Sequence, residues 1–280
     1  MSTESQSSEA NLLPLIVEPE QLNEHLDDPQ LLIIDVPVNV DSHSQGHVPG
    51  AIFLDFRHLM RGDGPVPNEV PSVEFLSRLF SALGLTRNTH VVAYDDEGGG
   101  WAARLLWTLE LIGHTRYSYL NGGIHAWRDA GLKESREPTA PTPSEYHAEI
   151  LNPKAAITCD EIKDKLNDKQ FAVWDARSKA EYDGERGNNQ RLGHIPGAVN
   201  MEWLNAMDRN RSLRIRDYAE LITELGALGL TPEMEVATHC QSHHRSSFTW
   251  LGGKALGFNM RGYAGSWGEW GNRNDTPIEK

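Results

Sequence analysis

The chain is poor in cysteine, in positive charge and in long apolar runs. Two cysteines, Cys159 and Cys240, occur in 280 residues. They cannot build a disulfide framework, so a reducing cytoplasm is the expected compartment. No apolar run approaches the roughly 20 residues of a bilayer span, and a membrane partner is not expected. Lys and Arg number 26 against 40 Asp and Glu, a formal net charge of −14. That balance argues against nucleic acid and anionic membranes as partners. The first ten residues, MSTESQSSEA, hold neither a basic start nor an apolar stretch. A disordered tail over residues 1–11 is expected there rather than a signal peptide. What the chain does have is 39% hydrophobic residues and eight tryptophans, ample for packed cores. Its length allows two ordinary domains.

Cys240 is the most informative residue. It sits in EVATHCQSHHRSSFTW, where a β-compatible run leads into the cysteine and a helix-compatible stretch follows Arg245. A thiol between a strand end and a helix N-terminus meets loop N–H groups and a helix dipole that favour an anion. Such surroundings lower a thiol pKa and make the thiolate a nucleophile near neutral pH. A cysteine enzyme acting on a small anion is the reading this supports.

The charge is unevenly spread. Residues 1–145 hold 9 Lys and Arg against 21 Asp and Glu, and the remainder holds 17 against 19. The half carrying Cys240 is nearly neutral. Arg209, Arg211, Arg214 and Arg216 crowd together there, either as a solvated face or as a collar for anions.

The two halves repeat each other. LLIIDV, ending near Asp35, answers FAVWDA with Asp175; GHVPGA answers GHIPGA; LGLTRNTHVVAYDD answers LGLTPEMEVATHCQ at an offset of 145 residues. The second half is seven residues longer before its GHIPGA, around GERGNNQ, which fits a surface loop. Three prolines, Pro138, Pro141 and Pro143, mark a linker. The division is a domain over 12–132, a linker over 133–156 and a second domain over 157–280. Thr158 and Glu161 form a capping box that places Cys159 at a first helical position, a structural role. Short apolar strands alternate with amphipathic helices, the pattern of an α/β fold with a parallel sheet covered on both faces. Ligands bind such sheets beyond the strand C-termini. The counterpart of Cys240 is then Asp95, in YDDEGGG. This acidic loop would repel an anion, so the first domain is expected to be inactive.

With these residues the chain resembles the tandem-domain rhodaneses, the thiosulfate sulfurtransferases, over about Leu15 to Trp270. The resemblance rests on GHVPGA and GHIPGA, on Asp35 and Asp175, on the cysteine loop and on YAGSWGEW at Tyr263–Trp270. The loop HCQSHHRS is similar to that of the Azotobacter-type bacterial rhodaneses. The resemblance implies two rhodanese-like domains in tandem, no cofactor, and a ping-pong transfer. The Cys240 thiolate takes the outer sulfur of thiosulfate, sulfite leaves, and cyanide or a thiol receives the sulfur from the Cys240 persulfide. The backbone N–H groups of Gln241, Ser242, His243, His244 and Arg245 would cradle the anion. Four residues separate Cys240 from Arg245, one fewer than in related phosphatases, a tighter ring that suits sulfur better than phosphate.

Other readings stand beside it. Gln241 and Ser242 replace the Arg and Lys of many thiosulfate-specific relatives, and the Gly-rich loop of 3-mercaptopyruvate sulfurtransferases is absent too. That enzyme class, and a noncatalytic or persulfide-delivering module that binds a partner protein, remain the alternatives. The family's substrate-side arginine falls near Glu181, so no such role transfers; Arg245 and Arg186 are the substitutes, with charge from His243 and His244 when protonated. Asp175 and Arg177 either orient the loop or form an ion pair. His239 is read as a hydrogen-bonded core histidine. His239, Cys240, His243 and His244 lie in one tight loop without a second ligand pair, so no metal site is assigned. GHIPGA is read as a turn fixing the sheet, and Trp203, Trp267 and Trp270 as core or pocket wall. A monomer is expected.

Overall fold

The computed structural model describes residues 11–64 and 66–280. The tail expected over residues 1–11 lies, apart from Asn11, outside them. In the first half, β1 (Ile16–Val17), β2 (Leu31–Asp35), β3 (Ile52–Phe53), β4 (His90–Tyr94) and β5 (Tyr117–Leu120) form a parallel sheet in the order β1-β5-β4-β2-β3. In the second half come β6 (Phe171–Asp175) and β7 (Val199–Asn200), then a separate antiparallel ribbon of β8 (Met207–Asp208) and β9 (Arg214–Ile215). With β10 (Glu235–His239) and β11 (Asn259–Gly262), the second sheet is parallel in the order β11-β10-β6-β7. The central strands β4 and β10 are almost wholly buried, as continuous apolar runs in a covered parallel sheet must be.

The helices are α1 (Pro19–Asn23), α2 (Val40–Gln45), α3 (Val73–Ala82), α4 (Gly100–Leu111) and α5 (Gly123–Asp129) in the first domain. The second has α6 (Cys159–Lys165), α7 (Lys179–Tyr182), α8 (Tyr218–Ala227), α9 (Arg245–Ala255) and α10 (Ser266–Trp270). The helix expected after Cys240 therefore begins at Arg245, and α4 occupies the equivalent place after Asp95. These two helices pack against each other and join the domains. Leu105, Trp107, Phe248 and Leu251 belong to one continuous core that crosses the interface. A helix buried on every side suits this position, and α4 is buried almost throughout. On α9, the absence of a side chain at Gly253 lets β11 approach; a Cβ there would lie 2.5 Å from the Met260 sulfur.

Thr158 caps α6 with the reciprocal Glu161 contacts that its spacing predicts. The proline-bearing linker is docked rather than loose. Ser135 bridges to His47, Ser144 donates its N–H to Ser81, and Tyr146 is buried against the first domain. The two GHxPGA turns repeat in detail. His47 stacks on His43 with ring centroids 4.0 Å apart, and His194 stacks on Tyr182 at 3.7 Å. Each imidazole Nδ1 also bonds the carbonyl of its stacking partner. These turns fix the sheet, and Glu279 near the C-terminus pairs with the second one at His194.

Candidate active site

β10 delivers the chain to Cys240, and α9 takes it away at Arg245. The loop between is clamped by α10. Trp267 N–H donates to the Cys240 carbonyl at 2.9 Å and Gly268 N–H to that of Gln241 at 2.9 Å, while Cys240 N–H donates to Ser266 Oγ at 3.3 Å. The YAGSWGEW segment is thus the splint of the cysteine loop. His243 takes a left-handed backbone, φ 56°, a costly state for a residue with a Cβ.

Cys240 is 1% exposed. Burial pushes its thiol up, but the Arg245 charge, the Ser246 hydroxyl and the N–H groups of Ser246 and Ser242 outweigh it and bring the pKa from 9.0 down to about 7. Of these backbone donors Ser242 belongs to the expected Gln241–Arg245 set, and Ser246 lies one residue beyond it. Arg245 is held by Glu181 through two bonds of 2.8 and 2.9 Å. Burial pushes the Glu181 carboxyl up, yet Arg245 and Ser178 hold it down at about 2.

Ser246 Oγ lies 2.8 Å from His243 Nδ1. A hydroxyl donating to the thiolate must accept from that nitrogen, which fixes the protonated Nδ1 tautomer. Burial drives the His243 pKa well below its ordinary value, with Arg104 adding to the shift. The expected positive charge at His243 is therefore corrected: this imidazole is fully buried and neutral, and it meets the Trp107 ring edge-on at 4.5 Å.

The first domain builds one wall. His244 stacks on Trp101 at 4.2 Å, bonds Glu97 and lies near Trp203. Gly100 permits the approach, since a Cβ there would sit 2.3 Å from His244 Nε2. The acidic loop turns its first carboxylate, Asp95, inward. Asp95 Oδ1 accepts from the N–H groups of Glu97, Gly98 and Gly99, and Oδ2 from those of Trp101 and Ala102, at 2.7–3.1 Å. The loop amides are thus taken up by a carboxylate of the loop itself. Burial and Glu97 push the Asp95 pKa up, and the amides oppose them.

The remaining residues singled out in the sequence fall as follows. Asp175 and Arg177 are buried and paired with each other, and Arg177 also donates to Gly193 and lies 4.3 Å over Trp267. They brace the sheet end, and Asp175 reaches His239 Nε2 at 3.5 Å. His239 Nδ1 bonds the Cys240 carbonyl. Arg186 has a side chain 69% exposed and contacts Ser178 and Glu181. In the arginine cluster, Arg214 pairs with Glu18 and Asp129, and Arg216 with Glu220 and Glu224, so half of that collar is neutralised. The longer GERGNNQ segment is more than a surface loop, because Asn189 Oδ1 accepts from Gln241 Nε2 at 2.9 Å. Glu181 and Ser246 were not identified from the sequence as partners of Arg245 and Cys240. The Ser178–Glu181 capping-box spacing was the available signal for the first, and a hydroxyl in the first turn after Arg245 for the second.

Cys159 is 2% exposed, and burial drives its thiol up to about 11, with the Tyr263 hydroxyl opposing. It is a neutral thiol at pH 7. Cys159→Ala is expected to leave turnover within severalfold in a steady-state assay; a loss like that of Cys240→Ala would overturn the structural role.

The rhodanese-like domain model matches residues 18–130 and 158–273. The chain is 46% identical over 268 residues to a thiosulfate sulfurtransferase of Azotobacter vinelandii, covering 95% of this chain and 97% of that protein. It is 30% identical over 272 residues to a 3-mercaptopyruvate sulfurtransferase of Escherichia coli, covering 92% and 95%. Among solved structures it is similar to the anaerobic ergothioneine biosynthesis enzyme from Chlorobium limicola in complex with trimethyl histidine. There the TM-score is 0.85 at 26% identity, covering 95% of this chain and 70% of that one. A further match, at TM-score 0.86, 26% identity and the same coverage, is an EanB variant with ergothioneine covalently linked to a cysteine persulfide.

Proposed function

Because the chain belongs to the rhodanese-like family and carries that domain twice, we propose that its second domain is a thiosulfate sulfurtransferase working through Cys240. The observation that carries this reading is the buried thiol with a pKa of about 7, set beside Arg245 at the N-terminus of α9. The Cys240 thiolate attacks the outer sulfur of thiosulfate, its electron pair forms the new S–S bond, and the old S–S bond breaks with its pair leaving on sulfite. The resulting persulfide is an anion, stabilised by the same N–H and hydroxyl donors. Cyanide or a thiolate then attacks the outer sulfur, and the Cys240 thiolate departs.

Relatives named thiosulfate sulfurtransferase at 44% and 46% identity support the donor. We take the working units as residues 12–132 and 157–280, joined by 133–156. The site is completed within one chain, which supports a monomer. A thiol that must stay reduced supports a cytoplasmic setting. Among the described residues no helix is long and apolar enough to cross a membrane.

Two measurements test the reading. Incubation with thiosulfate is expected to add one sulfur, about 32 Da, to the Cys240 peptide, and cyanide to remove it. The rate of persulfide formation is expected to rise about tenfold per pH unit below the thiol pKa of about 7 and to level above it. The sign follows from the group: the reactive form is the deprotonated one, so activity is lost as pH falls. A flat profile, or no persulfide, overturns the assignment. A kcat/KM for 3-mercaptopyruvate above that for thiosulfate would instead favour the other donor.

A further inference from the structure

The linker covers a cavity of about 520 Å³ in the first domain, within the roughly 300–1,000 Å³ that small-molecule sites occupy. Its walls are mostly apolar. Leu54 beyond β3, Leu79 and Leu83 at the end of α3, and Pro138 and Pro141 of the linker line it. The proline rings restrict the backbone of the linker wall. That wall is tied down on either side by the Ser135–His47 bridge and by the bond from Ser144 to Ser81. The lining shares no residue with the site around Cys240.

A polar patch is gathered in this lining at the end of α2. His43 Nδ1 lies 2.7 Å from Asp35 Oδ2. Asp35 is not part of the lining and His43 is, so the opposite edge of the ring, with Nε2, is turned away from the carboxylate. Nε2 makes no hydrogen bond among the described residues. His47, stacked on His43, also lines the cavity; it is 1% exposed, and its Nε2 is buried without a partner among the described residues. A buried nitrogen of this kind calls for a partner. Arg136 reaches the same place from the linker, where its Nε donates to the Gln45 carbonyl at 3.0 Å.

The repeat shows that these groups are not demanded by the scaffold. In the second domain Tyr182 stands where His43 does, stacked on His194, and its hydroxyl is satisfied by the Ala198 carbonyl. Asp175 pairs with Arg177 instead of a histidine. The patch also has positive charge to spare. The one carboxylate in the lining, Asp55, is paired with Arg57, and Glu134, near Arg136 in sequence, is paired with Arg128. Arg136 itself makes no ion pair among the described residues.

We propose that this cavity binds a small carboxylate with an apolar body. The alkyl or aryl body lies between α3 and the linker prolines, where apolar surface leaves water. The head group pairs with Arg136, beside His43 Nε2, because a guanidinium fork matches a carboxylate in charge and shape. The domain without a thiol thus carries a ligand site of its own.

The test is isothermal titration calorimetry of the full chain with decanoate, decanol and decyltrimethylammonium. Decanoate is expected to bind at one per chain, at least tenfold more tightly than decanol, and the cation not at all. Decanol that matches decanoate, or a bound cation, overturns the carboxylate assignment. No binding of decanoate overturns the site. Arg136 and Ala82, which also lines the cavity, are exposed, so variants at both should fold. Arg136→Gln is expected to weaken decanoate about tenfold and leave decanol unchanged. Ala82→Trp, which puts a large ring into the cavity, is expected to remove both. Decanoate binding that survives Ala82→Trp lies elsewhere and overturns the site, and equal weakening of decanoate and decanol in Arg136→Gln overturns the ion pair. Cys240→Ala should bind decanoate as the parent does, so the result is independent of sulfur transfer.

Discussion

Cys240→Ala is expected to remove sulfur transfer from thiosulfate, lowering kcat by about 10⁴-fold or more, because no other group can hold the sulfur covalently. The fold should survive. The residue is small, and the loop is held by backbone contacts from Trp267 and Gly268 that alanine keeps. Circular dichroism should match the parent, and the mass gain after thiosulfate should vanish. Retention of even a tenth of the parent rate would sink the covalent mechanism. So would a persulfide found on Cys159, whose thiol burial drives up to about 11.

The second large effect belongs to Arg245. Arg245→Met removes the main charge that lowers the Cys240 pKa and is expected to cost about 10²–10³-fold in kcat/KM. The pH–rate profile should shift upward, toward the ordinary thiol value of 9.0. The substitution also strips Glu181 of its bidentate partner. In the parent protein the Glu181 pKa is depressed from 4.5 to about 2. A carboxylate with a depressed folded pKa contributes stability above its unfolded pKa, and this is lost as pH falls through about 2. In the variant that contribution is missing at neutral pH as well, so the urea midpoint drops. A normal rate profile in a folded Arg245→Met protein would show that the thiolate is stabilised without this guanidinium.

How much of this was legible depended on whether the controlling contacts are local. The five-residue strands β2, β4, β6 and β10 are short apolar runs ending near a functional position, and such runs are readable. The two-residue strands and the β8–β9 ribbon are defined by their neighbours, which no window along the chain contains. Cys240 was legible because strand, thiol and helix follow one another. Glu181 was not, because its partner lies 64 residues away. His243 reads as polar and chargeable, yet the close packing of α4 and α9 buries it and makes it neutral. Asp95 shows the same limit from the other side. A sequence reports that a carboxylate is present but not which way it turns.

Asp95 turned inward has a further consequence. The amides of the loop after β4 converge on a negative charge, and that charge is a carboxylate of the same chain. Five amides of that loop are thus satisfied by one carboxylate of the same loop. The amide geometry is present there without a thiol. Asp95 acts there as a strut, because it holds the N–H of Trp101, the ring against which His244 of the second domain is stacked.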